Sequence, residues 1–294
     1  MEPSLFPVER GSDIYDSEGM LSTDQVVPET KYAISLISVL TRLHLMAWSQ
    51  MLSAWAHRDT LRFSFDARWA IAFVALLFVH NELHEIAHTA TGRVICGAWG
   101  QRNFNTWRVA CEELRPVLVL VPLAGLVFSY GLMWIGYYLL RPKYSVTKQS
   151  VGFCLIFAAM PFGRMYTVAR SAGDEMVILR GVFPAMNPSL RLVVGLSLVS
   201  LLLGPPLYRA FSVLQRQRRL LIFGGLLLLP YGLFEILVLE VANPLLQQGL
   251  LDSEGVLGSP LFVNVWTVFW VLVLLLLYQP FPTALDHSSS ETLE

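Results

Sequence analysis

The sequence encodes an all-α polytopic membrane protein with about six to seven transmembrane helices. Three observations carry that expectation. Of 294 residues, 54% are hydrophobic and only 15% are charged, against about 25% charged in a soluble globular domain. The mean hydropathy is +0.54, so too few charges remain to cover a water-facing surface. The apolar residues also gather in runs of about 20, the length that crosses a hydrocarbon core. Other classes are excluded by the same figures. A net charge of −1 with no basic block excludes a nucleic-acid binder. Disorder is excluded for all but the ends. Cys96, Cys111 and Cys154 are an odd, scattered set, which excludes a disulfide scaffold and predicts thiols that make no framework.

Residues 1–31 form an acidic N-terminal tail. Glu2, Glu9, Asp13, Asp16, Glu18, Asp24 and Glu29 stand against Arg10 and Lys31, without the basic and apolar blocks of a signal peptide. A single membrane domain then occupies 32–278. Its expected spans are 33–55, 69–90, 116–140, 151–169, 191–214, 220–242 and 260–278. The first is the weakest, since it contains Arg42 and His44. The fourth is short and interrupted by Pro161 and Gly163, so a break is expected there. Lipid offers no hydrogen-bond partners, so these segments are helices. Runs such as Leu272–Leu277 exclude the alternation of a transmembrane barrel. Seven spans put the loops near 91–115, 170–190 and 243–259 on one side with the N-tail. The loops near 56–68, 141–150 and 215–219 lie on the other with the C-terminal tail, 279–294. Lys and Arg fall on both sides in similar numbers, so charge does not orient the chain. Gly204-Pro205-Pro206 and Pro230 are expected kink positions.

The second span is apolar for ten residues and then turns polar. It contains His84-Glu85-Ile86-Ala87-His88, an H-E-x-x-H. Residues four apart share one helix face, so both imidazoles can reach one Zn²⁺ at about 2.0–2.1 Å. Glu85 projects beside such a metal, where it can take a proton from water. Chance gives this motif in roughly one sequence in 200 of this composition, and its place in a membrane span sharpens it. A charge at the bilayer centre costs about 2.5–3.5 kcal/mol, so ionisable groups there usually have a partner and a purpose. His80 sits four residues before His84 but about 12 Å along the axis from His88, so one ion cannot bind both; it reads as a supporting or packing histidine. Glu82 faces elsewhere, towards a neighbouring helix.

A catalytic zinc needs a third protein ligand and keeps a fourth position for water. Near the spans the acids are Asp174 and Glu175, after Gly173, and Glu235 and Glu240. Asp174 also suits the opening of a short helix over Met176–Arg180. Glu235 and Glu240 are alternatives that line a cavity or pair with an arginine such as Arg164.

These residues resemble the site-2 protease family of intramembrane zinc metalloproteases. In that family an H-E-x-x-H helix is followed by a membrane-associated loop, then a helix opening on a Gly-Pro-x-x-Asn motif, then a helix supplying a final Asp ligand from an Asp-Gly pair. The same order runs here from His84–His88, through Gly92 to Trp107, Val121-Pro122-Leu123-Ala124-Gly125 and Met160-Pro161-Phe162-Gly163, to Gly173-Asp174. Val121 stands for the Gly, Gly125 for the Asn, and Gly-Asp for Asp-Gly, which marks a divergent member. The resemblance implies a three-helix metalloprotease core over about 69–180, with accessory helices over 191–278. It implies His84, His88 and Asp174 as ligands to Zn²⁺ and Glu85 as the general base. The expected activity is hydrolysis of a peptide bond in or near a transmembrane segment of a membrane-protein substrate, within the lipid bilayer. The alternative is a non-catalytic membrane scaffold or transporter-like pseudoprotease. A di-iron desaturase fits poorly, because the chain has only six histidines (His44, His57, His80, His84, His88 and His287).

Overall fold

The computed structural model describes residues 61–111, 116–279 and 285–287, together with Arg42. The acidic segment 1–31 and, Arg42 apart, the expected span 33–55 lie outside the described residues.

The described chain is mostly helical. A short strand, β1 (Leu61–Phe63), precedes α1 (Ala67–Cys96). The Asp66 side chain caps α1 by accepting the Arg68 N–H at 3.3 Å. Gly97, at φ 76, closes it with its N–H on the Arg93 carbonyl. The helix therefore runs through Gly92, where the sequence predicted a loop; a lone glycine in a long helix is tolerated, and the stop signal is the left-handed Gly97. A 3₁₀ turn at Pro116–Val119 leads into α2 (Leu120–Leu139). The expected break appears between α3 (Val146–Ala158) and α4 (Pro161–Ala169). Proline disfavours helical backbone in the residue before it, and Met160 takes φ 50 there. Then come α5 (Asp174–Val182), α6 (Pro188–Val213) and α7 (Arg219–Phe234). α7 widens into a π-helical segment, Glu235–Ala242, and ends as α8 (Asn243–Gln247). α9 (Leu261–Leu277) and β2 (Leu285–His287) complete the described chain.

Among the described residues, five stretches are long and apolar enough to cross a membrane: Ala67–Cys96, Val117–Leu139, Val146–Ala169, Pro188–Val213 and Arg219–Gln247. α9 is equally apolar but has 17 residues, about 25 Å of helix. Pro205 and Pro206 stay inside α6, and Pro230 inside α7.

α1 packs between α2 and α9, and α2 runs along α3. The α2–α3 crossing is close because Gly136 and Gly152 face each other. A Cβ on Gly152 would stand 2.6 Å from the Gly136 carbonyl oxygen. One core gathers Trp69, Phe73, Phe153 and Phe157 near the start of α1. A second gathers Phe78, Phe104 and Phe234 with Trp266 and Trp270 further along. Val127, Leu228, Leu229, Leu272, Leu275 and Leu276 point outward, a distribution suited to lipid.

The loop contacts agree with the alternation of spans. β1 pairs antiparallel with β2, Leu61 opposite His287, and Leu61 also bridges Leu214. Leu285, expected in a tail, is buried and donates its N–H to Ser150 Oγ at 3.1 Å. At the other end, the Arg102 N–H donates to the Gly258 carbonyl at 2.9 Å. Here the cysteines depart from expectation. Cys96 and Cys111 form a disulfide across 15 residues, and only Cys154 is free and buried. Neither spacing nor an odd count could show this, because the helix and the loop bring the two Cα atoms to 5.3 Å. A closed loop of this size adds about 3 kcal/mol in the chain-entropy account.

Disulfides persist in oxidising compartments. The face carrying the 97–110 loop is therefore expected to lie on the exoplasmic or luminal side. A membrane-impermeant maleimide–polyethylene glycol should add to two thiols from that side, and only after reduction. Labelling of unreduced protein at Cys96 and Cys111 would contradict the pairing.

Candidate metal centre

Three side chains from two helices converge. His84 and His88 lie one turn apart on α1, and their ring centroids are 4.5 Å apart. Asp174 is the first residue of α5, reached through Gly173 at φ 83. His84 Nε2 is 3.0 Å from His88 Nε2 and 3.1 Å from Asp174 Oδ2. His88 Nε2 is 3.3 Å from the same oxygen. Zinc bonds of 2.0–2.2 Å in a tetrahedron place neighbouring ligand atoms about 3.3–3.6 Å apart, so this triangle is near the size of one tetrahedral face. Among the described residues, these three form the His, Cys, Asp and Glu group able to hold a metal ion.

The opposite ring nitrogens fix the polarity of the site. His84 Nδ1 lies 2.8 Å from the Gly125 carbonyl oxygen, and His88 Nδ1 lies 2.7 Å from that of Val121. A carbonyl only accepts, so both Nδ1 atoms donate. In neutral imidazoles both Nε2 atoms then carry lone pairs, and Asp174 Oδ2 adds another. Three acceptors facing one another at this range repel unless a cation or protons lie between them. Histidine ligands to metals commonly donate their second N–H to a backbone carbonyl, as here. α2 can come this close because Gly125 lacks a side chain. A Cβ there would stand 2.3 Å from His88 Nε2 and 2.7 Å from His84 Cε1.

Other groups frame the triad. Trp107 stacks on His88 with centroids 4.9 Å apart. Ser129 Oγ lies 3.0 Å from His84 Nδ1 and 3.1 Å from His80 Nε2, so His80 supports the site from one turn away. Arg164 Nη1 donates to Asp174 Oδ2 at 3.2 Å. Its Nη2 stands 3.1 Å from both ring nitrogens of His84, astride the ring. Glu85 is 5% exposed, and its Oε2 has no partner within the protein. His84, Glu85, Arg164 and Asp174 share one cavity of about 210 Å³, walled also by Asn81, Asn105, Trp107, Thr167, Tyr231 and Glu235.

The competing carboxylates are placed elsewhere. Glu175 is buried and accepts the Tyr130 hydroxyl at 2.8 Å, away from the triad. Glu235 lines the cavity and accepts from Tyr231, while Glu240 is exposed. Arg164, a suggested partner of Glu235 or Glu240, pairs with Asp174 instead. Glu82 is buried against Arg102 of the loop. Nothing in the sequence places Arg164, Ser129 and Trp107 together at the triad. An arginine inside the apolar stretch 151–169 was the available signal for the first. No family model, curated protein or solved structure matches the chain, so the reading of the site rests on these residues and their geometry.

Gly125→Ala should weaken the binding of a metal ion at the triad at least tenfold in chelator competition, because the new methyl group displaces both imidazoles. Unchanged affinity with unchanged helix content would show that the imidazoles do not coordinate from this position.

Proposed function

We propose that this protein is an intramembrane zinc metalloprotease, hydrolysing a peptide bond in or near a transmembrane segment of a membrane-protein substrate. One observation carries the reading: both Nδ1 donors are spent on α2 carbonyls, so three acceptor atoms meet at nearly tetrahedral spacing. In this reading α1, α2 and the α3–α5 segment make up the metalloprotease core, with the later helices as accessories. His84, His88 and Asp174 hold the ion. The bound ion supplies Lewis acidity and lowers the pKa of water to about 7.

The chain's own residues do the rest. Glu85, on the cavity wall with an unpartnered oxygen, accepts a proton from the attacking water. The water oxygen bonds to the scissile carbonyl carbon, and the displaced electron pair moves onto the carbonyl oxygen. Return of that pair breaks the C–N bond, and Glu85 passes its proton to the leaving amine. Water reaches the site through polar walls formed by Asn81, Asn105, Thr167 and Glu235. A substrate in the membrane fits α1, which carries both histidines and is long and apolar enough to cross one. A substrate helix has its amides already bonded, so it must unwind before attack; Gly, Pro or polar residues near the cut favour this.

Purified protein should contain close to one zinc per chain. Glu85→Gln should keep that zinc and lose cleavage by at least about 10²-fold, read by co-expression with a panel of single-span membrane proteins. Cleavage at the parental rate by this variant rejects the general-base role. Asp174→Ala should lower zinc content, and full retention would remove Asp174 from the ligand set.

A further inference from the structure

Arg164 stands where a metal site at rest has no use for a cation. Its guanidinium is permanently charged and borders the His84–Asp174 edge of the triad, at 3.1 and 3.2 Å. A divalent ion held by the same two residues repels it. A salt bridge to Asp174 alone would not require this position, because a guanidinium facing the carboxylate from behind would orient it without approaching the His84 ring. Arg164 also lines the cavity that Glu85 and Asp174 share. Ser129 Oγ, 3.4 Å from Nη2, helps to hold it there. Asp174 balances that charge while the guanidinium pairs with it; once an ion draws on the same carboxylate, the Arg164 N–H groups bordering the shared cavity can turn to an oxygen that arrives with the ligand.

Resting on the metal-centre reading above, we propose that Arg164 is the oxyanion-binding group of this site. It donates N–H groups to the negative oxygen of a tetrahedral ligand seated beside the triad. In peptide hydrolysis that oxygen is the former carbonyl oxygen, which gains its charge as water adds to carbon. Donors already aimed at developing charge act most strongly in the transition state, where removing one costs about 10²–10³-fold in kcat. Arg164 is then a catalytic residue, and its guanidinium fork suits an oxyanion better than a lysine ammonium does.

The test separates this from a purely orienting role. Purified full-length protein in detergent is loaded with Co²⁺, whose visible spectrum reports its surroundings, and titrated with inorganic phosphate as the tetrahedral oxyanion. The parent should show saturable spectral change. Arg164→Gln should bind Co²⁺ at least as well as the parent, because a repelling cation is gone, yet bind phosphate at least tenfold more weakly. Arg164→Lys should fall between the two, and it guards against a folding defect in the glutamine variant. With a cleavable substrate, Arg164→Gln should lower kcat and leave KM nearly unchanged. The proposal is overturned by equal phosphate affinity in parent and Arg164→Gln. It is also overturned by loss of Co²⁺ from both variants, which would make Arg164 a positioning residue for Asp174. A parent that binds Co²⁺ but not phosphate rejects the proposal and leaves the metal centre standing, whereas a parent that binds no Co²⁺ rejects both.

Discussion

Two backbone carbonyls of α2 govern this structure. By accepting from His84 and His88, the Gly125 and Val121 oxygens set the tautomer of both imidazoles and turn both Nε2 atoms towards Asp174. The imidazoles can reach those oxygens only where α2 has no side chain, which accounts for the packing of Gly125 against both rings. Had the rings found side-chain hydroxyls instead, either nitrogen could have carried the proton, and the lone pairs would not have been forced together. The site is thus a consequence of how closely two helices approach.

The membrane makes the remaining polar groups costly, at about 2.5–3.5 kcal/mol for a charge near the bilayer centre, and the chain answers with pairing. Glu82 is matched by Arg102, Asp174 by Arg164, and Glu175 by the Tyr130 hydroxyl. The Glu82–Arg102 contact also anchors the 97–110 loop on α1. The Cys96–Cys111 disulfide and the Arg102–Gly258 hydrogen bond tie the same loop down from two further directions. That loop carries Asn105 and Trp107 to the cavity, so its rigidity is part of how the site is shaped. Glu85 is buried as well, and its Oε2, like Glu175 Oε2, lacks a hydrogen-bond partner in the protein. Unlike Glu175, it lines the cavity beside the triad.

The opposite wall of the cavity comes from the α7 region, where the helix opens into a π-helical segment beginning at Glu235. Such segments often occur at functional sites, because the wider turn re-aims side chains. Here Tyr231 packs against Gly163 of α4 and contacts Phe162 and Tyr166. The α7 region therefore shapes the cavity as well as bordering it.

Much of this was legible in the residue pattern. Apolar runs located the described spans, Pro161 marked the break before α4, and the spacing of His84 and His88 put two imidazoles on one face. All of these are local properties, fixed by helical periodicity and by the missing N–H of proline. The end of α1 lies beyond the sequence expectation because Gly92 and Gly97 look alike in sequence, and only Gly97 adopts left-handed backbone. The third member of the triad was beyond local reasoning. Asp174 and Glu175 are adjacent, and a step of one residue turns a side chain by about 100° around the helix. Which of them faces the histidines depends on the rotation of α5, and Met176 and Leu179 set that rotation by packing near Gly195 of α6. The same holds for Arg164 and for the cysteine pair. Sequence determined the helices and the two-histidine face; tertiary packing decided what meets that face, because contacts between distant segments depend on how whole helices dock.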